Sequence, residues 1–178
     1  MKKTIVILMI LCLAGVAAFA ATSSANHSVT LNVPEVVLVG LNSGTAITLN
    51  VVAPATAGNA PTGQTDATKY LNYTAVNAGG TLRNITVQWG GADAAPAGTS
   101  LKVVSAAPTG TGTVGSATAQ RTISAVAQTV VTGIGSCYTA TGSTGANLTY
   151  TLSVDTPQGL VQGDNHTVTV TYTLTDAS

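Results

Sequence analysis

Side chains able to do chemistry are sparse in this chain of 178 residues. It holds two histidines, two cysteines, six acids and six Lys or Arg. His27 and His166 each follow an Asn near the start of an alternating run. No H-x-x-x-H, H-E-x-x-H or C-x-x-C spacing occurs, so no zinc-ligand pattern is present. No G-x-S-x-G elbow is present either. Asp66, Asp93, Asp155 and Asp164 fall in loop-like stretches. Calcium needs several converging oxygens, and no D-x-D-x-D spacing supplies them. Asp also favours turns, so these read as solvated loop acids. Gly110, Gly112 and Gly115, in TGTGTVG, have the look of a phosphate loop but lack the Lys that such a loop needs. The expectation is a non-catalytic protein with no cofactor and no metal.

The chain opens with Lys2 and Lys3, an apolar run over 4–16, and Ala18-Phe19-Ala20. That pattern predicts a signal peptide over 1–20, cleaved after Ala20, and a single mature domain over 21–178. Cys12 would leave with the signal, and Cys137 would stand alone. A lone Cys cannot close an intrachain disulfide. Cys137 is then a small buried residue, or a thiol for an intermolecular disulfide. The mature part carries Glu35 and five Asp against Lys69, Arg83, Lys102 and Arg121, a net charge of −2. So few bases argue against nucleic acid and against anionic lipid. No membrane association is expected once the signal is removed. The expected location is secreted, at the cell surface or outside the cell, with the periplasm as the alternative. Threonine, 31 residues of it, must wet the surface that charge does not.

Nearly every structural signal is β. Over 166–174, Val168, Val170, Tyr172 and Leu174 alternate with threonines. Alternate strand residues face opposite ways, so one face is apolar and the other is hydroxyl. Val29, Leu31 and Val33 repeat the pattern over 28–33, ahead of the strand-breaking Pro34. The run 35–40 is continuously apolar and reads as a strand buried on both faces. Ile47, Leu49 and Val51 mark a third strand, followed by a long polar loop over 53–68. Strands over 70–76 and 82–89 are expected to form a hairpin through Asn77-Ala78-Gly79-Gly80. A strand over 101–105 precedes a flexible-looking insert at 106–117. Residues 121–132 read as a strand pair or one bent strand, and 148–154 alternates again. Many short strands with frequent turns indicate an antiparallel sandwich or barrel.

The signal peptide, the short polar lead, SVTLNV and the terminal HTVTVTYTL together resemble bacterial secreted pilin and spore-coat-type fibre subunits. The resemblance implies an all-β, immunoglobulin-like β-sandwich of about seven to nine short strands. It also implies assembly by donor-strand complementation. Two features depart from that pattern. No intrachain disulfide can form, and the lead before the first strand is short. In physical terms, a sheet edge has unpaired amides and carbonyls that a neighbour's extended segment can fill. Residues 28–33, carrying Val29, Leu31 and Val33, are the candidate exchange segment; an ordinary first strand is the other reading. Expected partners are further copies or other surface proteins. Glycan is an alternative partner if Trp89, Tyr70, Tyr73 and Tyr138 present open rings. Asn26, Asn72, Asn84, Asn147 and Asn165 begin N-x-[ST] sequons, which an archaeal source could glycosylate.

Overall fold

The computed structural model describes residues 22–177; the expected signal peptide and Cys12 lie outside them. The chain divides into Met1–Val33 and Pro34–Ser178. In the first unit, residues 22–33 contain no strand, and every one of them is exposed. The expected strand over 28–33 is therefore not formed there.

The second unit is all-β and antiparallel. Its long strands are β1 (Val36–Leu41), β4 (Thr65–Val76), β5 (Arg83–Trp89), β6 (Thr99–Ser105), β10 (Gln128–Ile134), β12 (Ala146–Val154) and β13 (Val170–Asp176). Two-residue strands lie between them: β2 (Val51–Val52), β3 (Thr62–Gly63), β7 (Thr111–Gly112), β8 (Ser116–Ala117), β9 (Arg121–Thr122) and β11 (Cys137–Tyr138). One sheet runs β7-β11-β4-β12-β6-β9, with β1 on the other side of β4. The second sheet runs β13-β5-β10-β8, and β2 and β3 pair separately. The only helix among the described residues is a single 3-10 turn, Pro157–Gly159.

Alternation builds the core. Leu71, Tyr73 and Ala75 from β4, with Leu148 and Tyr150 from β12, are buried in one cluster with Ile85 and Val87 from β5 and Val131 from β10. The two sheets thus pack face to face as a β-sandwich. Burying an aliphatic side chain of this kind is worth about 1.5–3 kcal/mol. Truncating the fully buried Leu148 to Ala would cost roughly 2–5 kcal/mol, because a cavity is left as well.

Four expectations change. The strands over 70–76 and 82–89 do not form a hairpin: β4 and β5 sit in opposite sheets. β4 already has β1 on one edge and β12 and β11 on the other, so the turn between them carries the chain across the sandwich. Gly79 and Gly80 take φ of 59° and 81° in that crossing, a left-handed backbone that glycine adopts freely. Second, β1 is not buried on both faces. It is an edge strand pairing only β4, with Val37, Leu38 and Leu41 exposed. Third, only Val51–Val52 of the expected third strand enters a ladder, while the long loop shrinks because β4 begins at Thr65. Fourth, the last strand starts at Val170 rather than at His166. In 121–132 the chain again changes sheet, with β9 pairing β6 and β10 pairing β5.

Arg83 joins the two outer strands at one end of the sandwich. Its guanidinium is buried. It pairs with Glu35, just before β1, and with Asp176 at 2.9 Å, at the end of β13. Its Nε also donates to Asn77 Oδ1 at 3.2 Å. Hydrogen bonds to charged groups contribute about 1.5–3 kcal/mol. Arg83→Met should therefore lower the unfolding free energy in urea by about 2 kcal/mol. Asp176→Asn should cost less than about 1 kcal/mol, because that carboxylate is mostly in water. An unchanged urea midpoint for Arg83→Met would refute the role given to it.

Candidate functional site

At the end of the sandwich opposite Arg83, β1 and β13 lose their sheet partners and separate. The β1–β4 ladder ends at Leu41↔Leu71, and the β13–β5 ladder begins at Val170↔Trp89. Beyond those points, residues 43–51 and 164–170 flank an open groove of about 950 Å³. Trp89, Leu101, Tyr150 and Leu152 line it, and Ile47, Leu49, Val168 and Val170 pack against the core from its two walls.

Between the end of the β1–β4 ladder and Val51, and between 164 and 169, side chains rather than ladders hold each wall to its own sheet. On the β4 side, Asn42 accepts from the Tyr70 amide at 2.9 Å and donates to Thr68 O at 3.1 Å. The buried Lys69 ammonium donates to the carbonyls of Ser43 and Thr45. Further along, Gln64 Oε1 accepts from the Asn50 amide at 3.0 Å. On the β5 side, Asp93 accepts from the Thr169 amide, and Asp164 from the Ala97 amide, both at 2.9 Å. His166 contacts Ala94 O and Asp164 Oδ1, each at 2.9 Å. The Ala97 amide, and then His166, hold the Asp164 carboxyl below its ordinary value.

The groove floor is tied across the two sheets by Tyr150 and Tyr172, whose hydroxyls meet at 2.7 Å. Burial pushes both phenols above the usual tyrosine value, Tyr172 most strongly. In Tyr150 the bond to Tyr172 opposes that rise in part. Tyr73 is also raised by burial, and its hydroxyl donates to Val114 O at 2.6 Å.

The remaining sequence candidates scatter. Val29, Leu31 and Val33 are 68%, 89% and 80% exposed, far from the buried state their alternation suggests for a first strand. Cys137 is buried on β11 against β4, with its thiol pushed up by that burial. The four acids expected in loops are employed separately: Asp66 lies instead within β4, which starts at Thr65, and caps Thr68, Asp155 pairs with Lys102, and Asp93 and Asp164 hold the groove wall. Among the described residues, no three His, Cys, Asp or Glu gather as a metal site. Of the aromatic candidates, Tyr73 is buried, Tyr70 and Trp89 are half-buried, and Tyr138 is exposed. Gly112 in TGTGTVG has a packing role: with φ of 87°, its Cβ position would lie 2.3 Å from Ser136 O. Sequence reasoning missed the groove itself. Its one early sign was that Ile47 and Leu49 alternate within a stretch that also holds Ser43, Gly44 and Asn50.

No family model, no curated protein and no solved structure matches this chain.

A phenol raised on folding contributes stability that is complete below its unfolded value of about 10 and is lost as pH rises beyond it. Thermal melting of the wild type should therefore hold up to about pH 10 and fall above it. Tyr172→Phe, which has one buried phenol fewer to ionise, should show a shallower alkaline fall in melting temperature. Equal alkaline slopes for the two proteins would contradict the burial of Tyr172.

Proposed function

We propose that the chain is an exported, non-catalytic structural subunit of the cell surface or extracellular matrix. Its copies associate through β-strand complementation, as in the fibre subunits it resembles. The observation that carries this reading is the state of residues 28–33. Val29, Leu31 and Val33 alternate as core-facing strand residues do, yet they stand exposed and outside any ladder. Exposing three aliphatic side chains in a row of two-residue steps is costly in water and favourable once a sheet edge receives them. Low charge supports the same reading, since copies with few charges repel each other weakly. A glycan-binding module is less well supported, because Tyr138 alone among the four candidate rings is exposed.

Sedimentation of the purified mature protein should show oligomers that grow with concentration, and electron microscopy should show fibres. Leu31→Asp should hold the protein monomeric without lowering its melting temperature. A wild type that stays monomeric at every concentration and forms no fibres would contradict the proposal.

A further inference from the structure

The groove between residues 43–51 and 164–170 has the features of a missing strand. Its walls extend two edge strands, since β1 pairs only with β4 and β13 only with β5. Among the described residues, the amides of 46–49 on one wall and 165–168 on the other find no hydrogen-bond acceptor. Backbone donors left in this way beside an apolar floor are the template that strand addition completes. An occupant must offer apolar side chains at every second position, bring no charge, and run for at least the four residues of those unpaired stretches, about 13 Å. Residues 28–33 (SVTLNV) meet all three requirements.

Chain reach decides which copy supplies them. Glu35 is pinned by Arg83, at the end of the sandwich where β13 finishes. The groove opens at the opposite end, beyond Leu41 and Val170. The six residues of β1 separate the two ends by about 20 Å. Val33 is two residues from Glu35 and can lie at most about 7 Å from it. Leu31 reaches at most about 14 Å, and Val29 about 21 Å, which only brings it level with the groove's near rim. A chain therefore cannot seat this segment along its own groove.

Resting on the self-association proposed above, we infer that this groove is the acceptor site, and that its occupant is residues 28–33 of a second copy. Val29, Leu31 and Val33 enter over Trp89, Tyr150 and Leu152, and the backbone of the segment pairs with one or both walls. Such a contact is head-to-tail: each copy offers one segment and one groove, so the assembly stays open-ended and grows as a filament.

The test is cross-linking in the full mature chain with a short bismaleimide. Wild type, whose Cys137 is buried, sets the background. Leu31→Cys mixed with Ala46→Cys should give a cross-linked dimer containing one chain of each. The double variant should give a ladder of oligomers. Adding Val29→Asp and Val33→Asp to Leu31→Cys should abolish the cross-link. A second groove position, Thr48→Cys, repeats the test should Ala46→Cys lower the melting temperature. A double variant that yields only internally cross-linked monomer overturns the inference, because the segment then fills its own groove. Fibres or oligomers without cross-links at either groove position also overturn it, while leaving self-association standing. Monomer by sedimentation and no cross-link removes both.

Discussion

Arg83 is the interaction on which the open side of this sandwich depends. It is the buried cation that gathers Glu35 and Asp176, and so brings the start of β1 and the end of β13 together. The two outer strands are not hydrogen-bonded to each other. Held at one end by a charge and free to diverge at the other, they leave a wedge that widens into the groove. In a chain with six acids and six bases, a buried guanidinium stands out. Burying one is costly unless its donors are satisfied, and here two carboxylates and the Asn77 amide oxygen do so.

The groove walls show what happens when a strand runs out of partners. A buried amide or carbonyl must be paired. Along 42–50, Asn42, Lys69 and Gln64 substitute side-chain groups for ladder bonds. Along 164–169, Asp93, Asp164 and His166 do the same. Each set fastens its wall to its own sheet, and among the described residues the amides of 46–49 and 165–168 are left without an acceptor. Tyr150 and Tyr172 keep the sheets in register beneath. Asp93 and Asp164, read from the sequence as solvated loop acids, have a structural use at this site, as does His166.

Much of the fold is legible in the sequence because period-two alternation marks a half-buried strand whatever its partner is. Of the inward set Leu148, Tyr150, Leu152 and Val154, the first three are buried as the pattern indicates and Val154, at the strand end, is half-buried; Leu101 and Val103 are buried too. Alternation says nothing about which strand lies alongside. The turn at 77–80 has the residues of a hairpin, but an arch between sheets also needs glycines with positive φ, and the two have the same signature. The continuous run in β1 suggests full burial, whereas the structure places it at an edge, where Leu38 is open to water. The groove was illegible for a related reason: it is defined by pairings that do not occur. The alternation over 28–33 was visible in sequence, because it needs no context to be read, but the exposure of Val29, Leu31 and Val33 was not.

Hydrogen exchange tests the central claim most directly, because the claim concerns backbone amides without partners. The mature protein would be followed from dilute monomer into its assembled state. The amides of 46–49 and 165–168 should exchange freely in the monomer. On assembly, those of at least one wall should become protected, together with those of 28–33. Protection of both walls already in the dilute monomer, or exchange unchanged in assembled material, would contradict the account.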